Sequence, residues 1–257
     1  MSAVAGVGAV AGQSTQFAVR NLRRMTRNPA TVVGAVVSPV VFLLGFHLVL
    51  GRTLDARGID YGQYLPPAIA VQATLNVAIG SAFWLADDVA TGMLARARSL
   101  PIARVSPLLG RVLADLTRST LSTAVVLAVG ALLGFRFSGG VVGLVGFWLL
   151  VVLFSAASAA GFGLLALRSR NPEAAANLLT LPFLPLVFLS TAYVPAERFP
   201  SALEGAVAAQ PVSVVIDALR GLAEGDGLAS ALPASLWCAG LLVVFLFAAD
   251  RVLRRRG

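Results

Sequence analysis

The sequence predicts an all-α membrane protein: six transmembrane helices, an N-terminal amphipathic helix lying in the interface, and short re-entrant outer helices before the last span. Three observations predict it. Of 257 residues, 58% are hydrophobic and 12% charged, with a mean hydropathy of +0.85, whereas soluble domains carry about 25% charged residues. Charge-free runs long enough to cross a bilayer recur six times, at 28–51, 61–86, 119–135, 137–167, 174–196 and 227–249. Finally, the basic residues collect in alternate gaps between those runs, the signature of a polytopic chain with both termini on the cytoplasmic side of the cell membrane.

Residues 1–14 contain the low-complexity stretch AVAGVGAVAG, which lacks the charged start of a signal peptide and is too short to span; it reads as a disordered tail. Residues 15–28 follow with Arg20, Arg23, Arg24 and Arg27 on one helical face and Ala18, Leu22 and Met25 on the other. This is the pattern of a basic helix lying in the membrane plane, ended by Pro29. The six-span domain occupies 29–253. Pro39 falls near the middle of the first run and predicts a bend there, and His47 near its outer end reads as a packed or interfacial side chain. In the second run Gln72, Asn76, Gly80 and Phe83 share a stripe, which suits either interhelical hydrogen bonding or the lining of a path.

The third run is short, and extends inward past Arg118 and Asp115, which at i, i+3 can pair on one helix face. Between the second and third runs lies the longest polar cytosolic interruption, 87–107, with helical pieces around Pro101 and Pro107. A connector needs only about 2–8 residues, so this segment suits docking on a cytosolic partner. Ser155, Ala159 and Gly163 at i, i+4, i+8 of the fourth run allow close helix contact. The fifth run contains Pro182 and Pro185, which predict a bend, with Asn177, Thr180 and Thr191 on roughly one face. Between the fifth and sixth runs, 197–224 reads as two short helices broken at Pro211, with Val212, Val215, Leu219 and Leu222 as an apolar stripe. Tyr61, Tyr64 and Tyr193 are all expected at the outer interface, where amphipathic rings prefer to lie.

The same composition excludes several chemistries. All 20 basic residues are arginine, so a phosphate-binding loop of the Gly-x4-Gly-Lys-Ser/Thr kind and a lysine Schiff base are both impossible. One Cys (Cys238) and one His (His47) allow neither a disulfide nor a metal cluster. Asp87-Asp88 has no second acidic cluster with which to hold a magnesium diphosphate. The charge-free runs carry no acid for proton coupling. No catalytic residue, metal or cofactor is assigned to this chain. The net charge of +8 is spread along cytosolic flanks and reads as attraction to anionic lipid rather than to nucleic acid. Elimination leaves a passive path powered by a partner.

The stretches NLRRMTRNP, YLPPAIAVQ, LADDVATGMLARARSLPIARVSPLLGRVLADLTRS, LPFLPLVFLSTAYVP and PVSVVIDALRGL then place the chain near a known family. In their order it resembles the permeases of type-2 ATP-binding-cassette (ABC-2) exporters, and within them the daunorubicin/doxorubicin-resistance kind. The resemblance spans about 15–255. It departs from the usual pattern at Pro66-Pro67, where Pro-Gly is common, and at Leu94-Ala95, where a Glu is common. It implies a permease half that pairs with an identical or homologous chain and docks on separate cytosolic ATPase subunits, which bind the ATP and magnesium. Arg20, Arg23, Arg24 and Arg27, with Asp87, Asp88, Gly92, Arg96, Arg98 and Pro101, would receive the ATPase motion. Gln72, Asn76, Asn177 and Thr180 would line the path, 197–224 would act as an outer gate, and an amphiphilic drug, antibiotic or lipid would be the cargo. A lipid-linked polysaccharide permease and a non-transporting membrane anchor are the alternative readings.

Overall fold

Apolar runs become helices here, and turns between them form where proline or glycine interrupts. The computed structural model describes residues 36–92, 106–168 and 172–255. The basic helix expected at 15–28, and Arg96, Arg98 and Pro101 of the coupling segment, lie outside these described residues. The elements are α1 (Ser38–Asp55), α2 (Tyr61–Ala90), α3 (Ser106–Leu132), α4 (Gly140–Arg168), α5 (Pro172–Phe188), α6 (Ser201–Ala209), α7 (Pro211–Glu224) and α8 (Leu232–Arg255). No strand occurs among the described residues.

Five described helices are long and apolar enough to cross a membrane: α1, α2, Gly110–Leu132 of α3, α4, and Leu228–Ala249 at α8. The fifth run, expected to span 174–196 with a bend at its prolines, is helical over only part of that length. Its helix ends at Phe188, because Pro182 and Pro185 remove backbone donors from its final turns and the hydroxyl of Ser190 bonds back to the Val187 carbonyl at 2.6 Å. Residues 189–195 are turn. The expected break before the last span is present: α6 and α7 meet at Gln210 with a 71° bend. Pro39 follows a π-wound step at 36–37; the residues before 36, which would show whether the first run bends there, lie outside the described residues.

Helix α2 is the axis of the bundle, packed against α1, α3, α4, α5 and α7. Lipid tails are as apolar as leucine, so helices in a membrane associate through close packing and polar links rather than the hydrophobic effect. Both devices are present. Ala68, Ala70, Ala73, Ala78, Ala82 and Ala86 of α2 are all buried, which lets neighbouring backbones approach. Pro66 rests against Gly130 of α3, where a Cβ would lie 2.8 Å from the proline ring. The small-residue stripe with the closest approach is not Ser155, Ala159 and Gly163, since a Cβ at Gly163 would sit an ordinary 3.7 Å from Leu85. It is Gly139, Gly143 and Gly146 at the start of α4, on which the last turn of α7 rests: a Cβ at Gly139 or Gly143 would lie 2.0 or 2.6 Å from the Leu222 carbonyl oxygen. The next carbonyl, that of Ala223, accepts from the N–H groups of Ser138 (2.7 Å) and Gly139 (3.1 Å). Gly225, in the left-handed conformation at φ +101°, then ends α7.

Two acids at the α1–α2 turn are put to local use. Asp55 accepts from the Tyr61 N–H at 2.9 Å, and Asp60 caps α2 by accepting from Gln63 N–H at 3.1 Å. Gln63 in turn pairs both ways with the Arg136 backbone, at 3.0 and 2.9 Å, tying the α1–α2 turn to the α3–α4 turn.

Candidate functional site

An apolar bundle makes its polar side chains conspicuous, because a buried polar group without a partner costs roughly 1–3 kcal/mol. Among the described residues, two clusters of them stand at opposite ends of α2.

The first cluster surrounds the turn after α5. Non-helical backbone among apolar helices needs partners other than the helix ladder, and here side chains satisfy several groups of the turn. The Leu189 carbonyl accepts from the Gln210 amide. Thr191 N–H donates to Ser213 Oγ at 3.1 Å, and the Thr191 hydroxyl to Asp217 at 3.0 Å. The Thr191 carbonyl accepts from the Tyr64 hydroxyl at 2.6 Å and from Arg220 at 2.9 Å. The Ala192 carbonyl accepts from Arg220 at 3.4 Å, and the Tyr193 carbonyl from the Tyr61 hydroxyl at 3.3 Å. Arg220 is the centre of the cluster. Its Nε donates to the Tyr64 carbonyl at 3.0 Å, another nitrogen pairs with Asp217 at 2.7 Å, and its guanidinium lies 3.4 Å over the Tyr64 ring. One buried side chain thus joins α2, the α5 turn and α7.

The structure buries Arg220 to 8% exposure, a place that hydropathy and charge counting do not give it. The signal was available, since Arg220 and Asp217 stand at i, i+3 beside the apolar stripe of α7, and that stripe (Val212, Val215, Leu219, Leu222) is indeed buried. The tyrosines likewise depart from the expected interfacial placement. Tyr61 and Tyr193 are buried and Tyr64 half-buried, all within this cluster. His47 is half-buried, its ring stacked on Tyr61 with centroids 6.5 Å apart.

Three of the four expected path residues have described side chains. Gln72 is buried, its Oε1 accepting from the Tyr193 hydroxyl at 2.8 Å. Asn76, one turn further along α2, is half-buried, and Thr180 on α5 is exposed. Nothing is described of the Asn177 side chain.

The second cluster sits where α2 meets α3. Arg111 pairs with Asp88 at 2.5 Å and donates to the Ser81 carbonyl at 2.8 Å. One turn along α3, Asp115 and Arg118 form the expected i, i+3 pair at 3.3 Å, both buried. Ser119 and Ser155 then link α3 to α4 at 2.9 Å. Asp88 therefore has an internal partner, while Asp87 is half-buried. Gly92, at φ +68°, follows the last turn of α2 and lies within the 87–107 segment. No group of His, Cys, Asp and Glu able to hold a metal occurs among the described residues.

Two polar anchors at opposite ends of one helix suit a device that carries a displacement along its axis. With about 1.5 Å per residue, the 30 residues of α2 extend through and beyond a bilayer core of about 30 Å.

Comparison with known proteins agrees with this architecture. The family model described as ABC-2 type transporter matches residues 13–223. A probable doxorubicin resistance ABC transporter permease protein, DrrC of Mycobacterium tuberculosis, is 35% identical over 228 residues, covering 88% of this chain and 82% of the relative. The daunorubicin resistance ABC transporter permease protein DrrB1 of Streptomyces coeruleorubidus is 29% identical over 215 residues, 84% of this chain and 74% of the relative. Nodulation protein J of Azorhizobium caulinodans is 26% identical over 203 residues, 77% of this chain and 78% of the relative. With five helices, or six if the bent pair counts as one, long and apolar enough to cross a membrane among the described residues, and a family match over most of its length, this chain is a multi-pass membrane protein of the ABC-2 type transporter family.

Proposed function

We propose that this chain is the membrane-spanning, non-hydrolytic half of an ATP-driven exporter for an amphiphilic drug, antibiotic or membrane lipid. The observation that carries this reading is the extended similarity to drug-resistance permeases. It is supported by a chain that contains no lysine for a phosphate-binding loop. ATP and magnesium are then bound by a separate cytosolic ATPase, two permease chains pair, and both termini face the cytoplasm.

The mechanism follows from the two anchors. The segment 87–107 begins on the last turn of α2, and with the basic helix at 15–28 it takes the ATPase displacement through Arg96 and Arg98. Asp88 and Arg111 bind the ends of α2 and α3 so that they move together. At the far end Tyr64 and Arg220 pass that motion to the α5 turn and to α7, which act as the outer gate. In the present conformation Gln72 is held by Tyr193. Turning Gln72 and Asn76 toward a path shared with Asn177 and Thr180 requires that hydrogen bond to open, which couples withdrawal of the turn to exposure of polar lining.

The test is affinity purification of the tagged chain with its ATPase subunit, followed by ATPase assay in proteoliposomes with and without an anthracycline. The reading expects the ATPase to co-purify and its rate to rise with drug. An ATPase that does not associate, or whose rate is indifferent to every amphiphile offered, overturns it.

A further inference from the structure

At the arginine-rich end of the bundle a groove of about 360 Å³ opens between the last residue of α4 and one face of α8. It is lined by Arg168, Val244, Phe247, Ala248, Arg251 and Val252. The five α8 residues recur at i, i+3, i+4, i+7, i+8, a single helical face. Val244 and Phe247 are largely exposed, so an apolar floor lies open. Both arginines are exposed at its mouth, and neither has a carboxylate partner among the described residues. The Arg251 guanidinium sits 4.4 Å over the Phe247 ring, which holds it above the floor.

We propose that this groove is a binding site for an anionic phospholipid of the leaflet at that end. The phosphodiester would be held between Arg168 and Arg251, and the first part of an acyl chain would lie along Val244, Phe247 and Ala248. Charge complementarity selects the headgroup. Guanidinium groups match phosphate oxygens by paired N–H donation, and basic pockets between transmembrane helices on the cytoplasmic side favour anionic lipid. The apolar floor selects a lipid over free phosphate, which would leave Val244 and Phe247 without a partner. The α4–α8 seam is thereby closed by a lipid rather than by protein, at the end where the proposed function puts the ATPase. The assignment to the inner leaflet rests on that reading; the binding itself does not.

The test is native mass spectrometry of the delipidated full-length chain titrated with dioleoyl-phosphatidylglycerol, dioleoyl-phosphatidylcholine or inorganic phosphate. One phosphatidylglycerol per chain is expected to bind well ahead of phosphatidylcholine and to resist competition by inorganic phosphate. In the double variant Arg168→Gln/Arg251→Gln, binding is expected to weaken about 30-fold, the factor contributed by two basic groups near an anionic headgroup. Arg198→Gln, on the exposed outer turn, should leave binding unchanged. Ala248→Trp, which fills the floor while keeping both charges, should also weaken it. Equal retention of the two lipids, displacement by phosphate alone, or wild-type affinity in the double variant overturns the proposal, and none of these readouts depends on transport.

Discussion

Replacing Arg220 by Met removes the cation that binds the first cluster together while keeping the length of the side chain. The guanidinium donates to the carbonyls of Tyr64 (3.0 Å), Thr191 (2.9 Å) and Ala192 (3.4 Å) and pairs with Asp217 at 2.7 Å. Charge-assisted bonds contribute about 1.5–3 kcal/mol each, but they share one side chain and do not add. Thr191 keeps the Tyr64 hydroxyl as a second donor. Asp217 is half-exposed, with a side-chain exposure of 50%, so its arm is screened and contributes about 0–1 kcal/mol. Removal of one partner from a buried charged network costs about 3–5 kcal/mol, and that range applies to Arg220→Met. Asp217→Asn, by contrast, should cost less than about 1 kcal/mol. Tyr64→Phe, which loses the 2.6 Å bond but keeps the ring, should cost about 1 kcal/mol. The assay is thermal or denaturant unfolding in detergent followed by tryptophan fluorescence, with all variants side by side. An Arg220→Met protein as stable as wild type would refute the reasoning, as would an Asp217→Asn protein equally destabilised, since the latter would locate the energy in the ion pair instead of the carbonyls.

Three further outcomes follow from the same geometry. Gly143→Val should destabilise by about 1–3 kcal/mol through overpacking, because a Cβ there lies 2.6 Å from the Leu222 carbonyl. Gly163→Ala, at 3.7 Å from Leu85, should be neutral or better; unfolding midpoints that rank the two the other way would contradict the α4–α7 contact. Asp88→Arg should lower drug-stimulated ATPase activity at least tenfold while the ATPase subunit stays bound, and Asp88→Arg with Arg111→Asp should recover much of it. An uncoupled double variant would remove the pair from the transmission path. Arg96→Glu with Arg98→Glu should abolish co-purification of the ATPase, and retained association with normal transport would end their assignment.

How much was legible in the sequence depended on which rule governed each element. Hydropathy and arginine placement located the long helices, because charge in a bilayer is costly wherever it occurs. The bend at Pro211 and the stripe of α7 were readable from local chemistry. The fifth helix was not, since its early end depends on Pro185 together with a turn whose carbonyls are satisfied by Tyr61, Tyr64 and Arg220 from elsewhere in the chain. Hydropathy counts such a turn as span. The same non-local pairing hid the cluster around Arg220. Tyr61 and Tyr193 looked like interfacial anchors because their position along the chain is that of a helix end, yet their hydroxyls reach inward to Tyr193 and Gln72. The glycines of α4 straddle a turn and a helix start, and only the approach of Leu222 gives them a purpose.

The most direct measurement of the central claim, a membrane path that takes its power from another chain, is uptake of a fluorescent anthracycline into inside-out vesicles containing this chain with its ATPase subunit. The account predicts ATP-dependent accumulation that vanishes when the ATPase carries a disabled phosphate-binding loop, and no ATP-driven uptake by this chain alone. Accumulation driven by ATP without the ATPase subunit, or undiminished by disabling it, would contradict the account.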